Sequence, residues 1–400
     1  MTAPLAPTLL RAIDGLLPEI IDFRRDLHAH PELSFQEFRT TEKVRERLTA
    51  AGVRVRSVTE TGLIADLGAE EPARRVALRG DMDALPIRER TGLDWSSVTD
   101  GVCHACGHDV HTSVLLGAAL ALSHVAEDLA ERQVGVRLIF QPAEEAMPGG
   151  AEAYVDAGIM EGVDTAYAVH CDPSLDVGQI GLKEGPLTAA ADRVKVTLGG
   201  RGGHTSRPHL TEDLAFALAK VMTEVPAALS RRVDPRSGLA LVWGEIHAGN
   251  AANVIPATGT ANGTLRVLDA TIWEEIEPLL IDVVEHVVAP YGVRARVDYV
   301  RGVPPVVNHP SAVAALGRAT MAAGLDPVST AQSLGGEDFA WMLHQAHGAM
   351  ARLGTRTPGG PTYDLHQGDL IVDEGAVKAG MSLLTLVAAG EWTRVGESHL

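Results

Sequence analysis

The stretch GVCHACGHDVHTS places two cysteines and three histidines within the nine positions from Cys103 to His111. Thiolate and imidazole together suit a borderline transition metal such as zinc, manganese, cobalt or nickel. Cys103 and Cys106 imitate half of a zinc ribbon, but no second Cys-x-x-Cys exists to complete one. A redox pair of the thioredoxin type leaves the neighbouring His and Asp residues without a purpose. The stretch therefore needs partners from elsewhere in the chain.

Further ligand types stand at the ends of short apolar runs. VALRGDMDALP ends in Asp81 and Asp83, VRLIFQPAEE in Glu144 and Glu145, and AYAVH in His170; the late loop YDLHQGD offers His366. Each has a plain explanation taken singly. Asp-x-Asp after a strand is turn chemistry, and Ala-Glu-Glu is a solvated helix start. Together with Cys106 and His108 they exceed one tetrahedral zinc and fit two metals that share a bridging ligand. Adjacent side chains in an extended segment point different ways. One of Glu144 and Glu145 can therefore ligate while the other takes a proton from the attacking water.

The middle of the chain adds groups for substrate. GGRGGHTSRPH presents His204 on a Gly-rich turn, as an electrophile for a developing oxyanion or as an incidental hairpin residue. GNAANVIPATGTANGTLR supplies Asn253 and Arg266. Arg266 offers a bidentate fork for a carboxylate, or a surface ion pair. His104, His111, His209, His247, His309, His344 and His347 are expected to have no catalytic role.

These residues must be held by elements that the hydrophobic pattern foretells. A helix over residues 8–28, a second in TTEKVRERLTAAG, strands at RRVALRGD, VGVRLIFQ and DTAYAVH, and a helix from GHDVHTS onward alternate as in a parallel sheet covered on both faces. In such sheets ligand groups gather at the carboxyl ends of the strands. From ADRVKVTLGG to RARVDYVRGV the order changes to β-α-β-β-α-β, a ferredoxin-like signature. The expectation is an α/β catalytic domain over 1–187 and 305–400, interrupted by an α+β domain over 188–304.

Composition bounds the function. Four hundred residues favour two domains. With 34 Lys and Arg against 52 Asp and Glu, the net charge of −18 excludes nucleic acid and anionic membrane as partners. Three cysteines build no disulfide framework, so a reducing cytoplasm is expected. Asp14, Glu19 and Asp22 interrupt the first apolar run, unlike a signal peptide, and VLLGAALALSHVA is too short to cross a bilayer.

Nine motifs occur in order: RRDLHAHPELSFQE, ALRGDMDALPI, HACGHDVHTSVLLGAA, FQPAEEAMPGGA, GGRGGHTSRPH, NVIP, GTLR, GGEDFAW and LHQGD. From about residue 20 to residue 385 the chain resembles the amidohydrolase branch of the aminoacylase and glutamate-carboxypeptidase metallopeptidase family. The resemblance implies a di-metal catalytic domain with an inserted ferredoxin-like lid and dimerisation domain. It implies Cys106, His108, Glu145, His170 and His366 as metal ligands, and Glu144 as general base and later proton donor. Asp81 or Asp83 supports the metal centre. His204 matches a lid histidine that in relatives often reaches the neighbouring subunit's active site, so a homodimer, or a homotetramer built from it, is implied. Departures at AMPGGA and at Cys171, beside His170, touch specificity and not the reaction.

The reading is a hydrolase for the amide of N-acyl amino acids or similar small conjugates, with two divalent metals, zinc or manganese, cobalt or nickel. A dipeptidase or carboxypeptidase with the same machinery is the alternative. A metal-dependent binding protein without catalysis is a rival from another class, and Glu144 beside Glu145 speaks against it.

Overall fold

In the computed structural model, which describes residues 4–390, the chain opens with α1 (Ala6–Ala29) and α2 (Phe38–Ala50). There follow β1 (Arg54–Ser57), β2 (Leu63–Gly68), β3 (Arg74–Asp81), α3 (His108–Ser123), β4 (Val134–Gln141), β5 (Thr165–Asp176) and β6 (Gln179–Leu182). Next come β7 (Ala190–Gly199), α4 (Leu214–Arg232), β8 (Ala240–Ala248), β9 (Thr258–Val267), α5 (Ala270–Val288) and β10 (Arg294–Val303). The chain closes with α6 (Pro310–Ala322), β11 (Asp326–Ser329), β12 (His347–Arg356) and α7 (Gly375–Ala389). Residues 1–3 and 391–400 of the expected catalytic domain lie outside the described residues.

The described chain divides into two compact units. One holds the residues up to Gly185, Val307–Ala331 and those from Asp338 on; the other holds Pro186–Val306 with Gln332–Glu337.

The first unit has an eight-stranded sheet in the order β1-β2-β4-β3-β5-β12-β6-β11. β4, β3, β5 and β12 run parallel in its middle, as the alternating pattern suggests. The sheet as a whole is mixed, not all parallel. β1 pairs antiparallel with β2, and β2 with β4. Only residues 58–62 join β1 to β2, too few for a parallel crossover. β6 also meets β12 antiparallel.

α3 explains the long apolar run after the His-rich stretch. Its residues from His108 to Leu122 are buried on every side, which marks a central helix and not an amphipathic surface one. It packs on α1, α7 and β3. Each fully buried Leu or Val contributes roughly 1.5–3 kcal/mol. Gly117 permits the close approach of α7, since a Cβ there would lie 2.5 Å from Met381 Cε. α1 shows the complementary pattern, burying Leu9, Ile13, Ile20 and Leu27 along one face. Arg24 and His28 are buried on that helix too, which apolar periodicity does not explain.

The second unit is a four-stranded antiparallel sheet in the order β8-β9-β7-β10. With α4 and α5 this is the ferredoxin-like arrangement. The helices bury Leu218, Val221 and Val225 of α4 and Trp273, Ile276 and Leu280 of α5.

Candidate metal centre

Three parallel neighbours, β4, β3 and β5, bring chemistry to one end of the first unit's sheet. Asp81 ends β3 and Asp83 follows it. Glu144 and Glu145 follow β4, and His170 lies in β5. Cys106 and His108 flank Gly107, the residue before α3, whose φ of 84° is left-handed. A Cβ on Gly107 would lie 2.8 Å from Cys171 Sγ, so the turn demands glycine on both counts. Cys103 pairs its backbone with Leu85, which ties this loop to the segment after Asp83. The His366 N–H donates to the Ala105 carbonyl at 2.8 Å.

The sequence-derived ligands converge. Ligand atoms of Cys106, His108 and His170 lie within 4.8 Å of one another, and so do those of Cys106, Glu145 and His366. Cys106 belongs to both groups, as a ligand shared by two cations would. His108, Glu144 and Glu145 form a third such group. Cys106 Sγ is 3.6 Å from His170 Nε2, and Glu145 Oε1 is 3.1 Å from His366 Nε2.

Hydrogen bonds occupy Nδ1 of both rings and leave each Nε2 facing the cluster. His170 Nδ1 faces the Cys171 carbonyl at 2.8 Å, which can only accept. The proton is therefore on Nδ1, and the Nε2 lone pair faces Cys106. His108 Nδ1 faces Asp83 Oδ1 at 3.2 Å, while its buried Nε2 has no hydrogen-bond partner. That orphaned nitrogen and the mixed thiol, imidazole and carboxylate set fit divalent zinc or a similar ion.

The two aspartates have separate tasks. Asp81 is fully buried and accepts Arg79 Nη1 at 2.7 Å on Oδ2 and His111 Nδ1 at 2.6 Å on Oδ1. Burial alone would raise it, but the Arg79 guanidinium and the two imidazoles hold it well below the usual carboxylate range. Asp83 receives the Glu144 N–H on Oδ1 and the Glu145 N–H on Oδ2, both at 3.0 Å, and the Ser34 hydroxyl at 2.6 Å. Burial opposes its charge, but His108 and these donors outweigh it and lower its pKa.

Cys106 and His108 both hold their protons more tightly in this pocket, for different reasons. Burial pushes the Cys106 thiol well above its ordinary value. Burial disfavours charge on His108 as well, but Asp81, Cys106 and Asp83 raise it far above the ordinary imidazole range.

Sequence reasoning missed the supports behind this centre. Arg79, 1% exposed, also donates to Gln141 Oε1 and Asp338 Oδ1, each at 2.8 Å. The visible signal was a lone Arg inside the apolar strand VALRGD. His111, expected to have no catalytic role, stands beside these supports: its Nε2 accepts the Cys171 N–H at 2.8 Å. Asp109 is held by Arg24 Nε at 2.6 Å and His28 Nδ1 at 2.9 Å. His28 Nε2 meets Glu89 Oε1 at 3.2 Å.

The remaining candidates belong to the second unit. His204 lies on the two-residue strand Gly203–His204, exposed, with Nδ1 accepting the Ser206 N–H at 3.1 Å. The facing strand is Val254–Ile255, and the Asn253 carbonyl accepts the Thr205 N–H at 3.2 Å. These two loops therefore stand together. Arg266, on β9, donates to the Leu334 carbonyl.

Comparison with known proteins shows the family of the chain. Residues 77–389 match peptidase family M20/M25/M40. An N-acetyl-L-cysteine deacetylase of Bacillus subtilis is 37% identical over 366 residues, 91% of this chain and 86% of that protein. An N-acyl-L-amino acid amidohydrolase of Geobacillus stearothermophilus is 40% identical over 300 residues, 75% of this chain and 80% of that one. A longer Rhodococcus jostii protein, named as a glutamate–cysteine ligase, is 47% identical over 92% of this chain, which spans only 46% of its length. Among solved structures, a dinuclear metal-binding peptidase of family M20 from Bacillus subtilis is 33% identical, with a TM-score of 0.83 over 94% of this chain and 98% of that one.

Proposed function

We propose that this chain, which belongs to peptidase family M20/M25/M40, is a metal-dependent amidohydrolase that cleaves N-acyl amino acids to a carboxylic acid and a free amino acid. The observation that carries the reading is Glu144 beside a compact cluster of metal-ligand types, of which Cys106, His108 and His170 are buried. The names of the Bacillus and Geobacillus relatives supply the substrate class.

Cys106, His108, Glu145, His170 and His366 would hold two divalent cations, zinc or manganese, with cobalt or nickel as substitutes. When bound, the cations supply Lewis-acid polarisation of the amide carbonyl and acidify water. Glu144 takes the proton of the attacking water and later delivers it to the leaving nitrogen. Asp81 and Asp83 act through the ligands. For His204 we propose stabilisation of the oxyanion, and for Asn253 and Arg266 the binding of the substrate carboxylate; Arg and imidazole donors suit those charges.

A homodimer or homotetramer is supported by β8, an edge strand of the second unit with Val242 and Ile246 exposed. A cytoplasmic location is supported by three free, buried cysteines. Among the described residues no helix is long and apolar enough to cross a membrane.

The test is turnover by metal-loaded protein on N-acetyl and N-benzoyl amino acids and on dipeptides, against Glu144→Gln. The expected result is preference for acyl amino acids and a loss of about 10²–10⁴-fold in the variant. Dipeptide preference would instead favour a dipeptidase, and no turnover above the variant would sink the enzyme reading.

A further inference from the structure

We propose that Glu37 is a positioning residue that sets the backbone from which Glu144 and Glu145 project. The inference rests on the roles assigned to those two residues above.

Glu37 stands directly before α2 and is 0% exposed. Its Oε1 accepts two backbone N–H groups, Phe35 at 3.0 Å and Ala143 at 2.8 Å. Both donors have left-handed backbones, with φ of 64° at Phe35 and 55° at Ala143, and neither is glycine. Such a conformation persists only where surrounding contacts over-determine it. One carboxylate oxygen therefore clamps two unfavourable turns that are over one hundred residues apart in sequence.

Ala143 is the pivot of the catalytic turn. Its N–H goes to Glu37 and its carbonyl accepts the Gly150 N–H at 2.9 Å. The next two N–H groups, of Glu144 and Glu145, go to the two oxygens of Asp83. Three successive backbone donors thus end on two buried carboxylates. Asp83 fixes the residues after the pivot but not the pivot itself. Without Glu37, Ala143 can relax toward the right-handed region, and that rotation redirects the Glu144 side chain. Burial and the nearby Asp83 charge push the Glu37 carboxyl up to about 7. That unfavourable setting argues that the acceptor is kept for its geometry. Either protonation state leaves an oxygen able to accept both donors.

The test compares Glu37→Gln, Glu37→Asp and Glu37→Leu with wild type and Glu144→Gln, all metal-loaded. Read-outs are kcat, KM, metal stoichiometry and thermal melting. Gln keeps an oxygen in place and is expected within about threefold of wild-type kcat. Asp withdraws the oxygen by one methylene and Leu removes it. A misplaced reacting group costs on the order of 100-fold. Leu is expected to lose about that much in kcat and Asp about tenfold, with KM moved less than about threefold. If Leu fails to fold, Asp decides. Wild-type kcat in Asp, or Gln as impaired as Leu, overturns the inference while leaving the function standing. Full turnover by Glu144→Gln would remove the function itself.

Discussion

His111 donates its Nδ1 proton to Asp81 at 2.6 Å while its Nε2 accepts the Cys171 N–H at 2.8 Å. A backbone N–H can only donate, so the second bond fixes the tautomer and the first follows. The ring thereby ties the end of β3 to β5 beside His170. His111→Ala should weaken divalent-metal binding about 10–100-fold, the usual effect of losing a partner behind the ligands. Zinc or manganese titration of the purified variant measures this. Unchanged affinity would show that the Asp81–His111 bond is ornamental to the centre.

Much of this cluster is legible in sequence because Asp81, Asp83, Glu144, Glu145 and His170 stand at the ends of short apolar runs. Strand β3 occupies the RRVALRGD segment, and Asp81, Glu144 and His170 fall where alternating strands and helices place them. The supports were not legible, because they depend on contacts across the fold. Glu37 reads as an ordinary helix-start carboxylate until Ala143, more than one hundred positions away, is seen against it. Arg24 and His28 read as the polar face of an amphipathic helix, yet both are buried on Asp109. The antiparallel edge strands were hidden for a different reason: apolar periodicity reports burial and does not report direction.

Arg79 offers a stability prediction. It lies between Asp81 and Asp338 with almost no exposure, at 2.7 and 2.8 Å. Arg79→Met preserves much of the volume but takes the guanidinium away from two buried carboxylates. Removing one partner of a buried pair costs about 3–5 kcal/mol. Urea unfolding should show that loss with an unchanged slope. A variant as stable as wild type would mean that Asp81 and Asp338 are neutral in the folded state.

Cys106 and Cys103 separate the two-cation reading from a mononuclear one. Cys106 belongs to both ligand groups, whereas Cys103 belongs to none found among the described residues. Burial keeps Cys106 as a thiol without a cation, so binding must expel its proton. Titrations in buffers of different ionisation enthalpy should show proton release. Cys103→Ser should still bind nearly two metals per chain, and Cys106→Ser should bind both weakly. The reverse pattern would favour a single zinc on Cys103.

His28 supplies a pH test at a residue outside the proposed ligand set. Both ring nitrogens face carboxylates, Asp109 at 2.9 Å and Glu89 at 3.2 Å. Burial opposes its charge, but the carboxylates win and raise His28 to about 9, from an ordinary 6.5. Because the folded value is the higher one, the folded state holds the proton more tightly. The contribution is complete below about pH 6.5 and is lost as pH rises through about 9. Its size is of the order of 3 kcal/mol. Glu89 moves the other way: its burial is outweighed by the bond from His28, and it falls to about 2, so it stays charged across this window. Melting temperature should therefore decline between pH 7 and pH 9 in wild type. His28→Gln should start lower and lack that decline. Parallel curves for the two proteins would show that His28 does not hold its proton in the folded state.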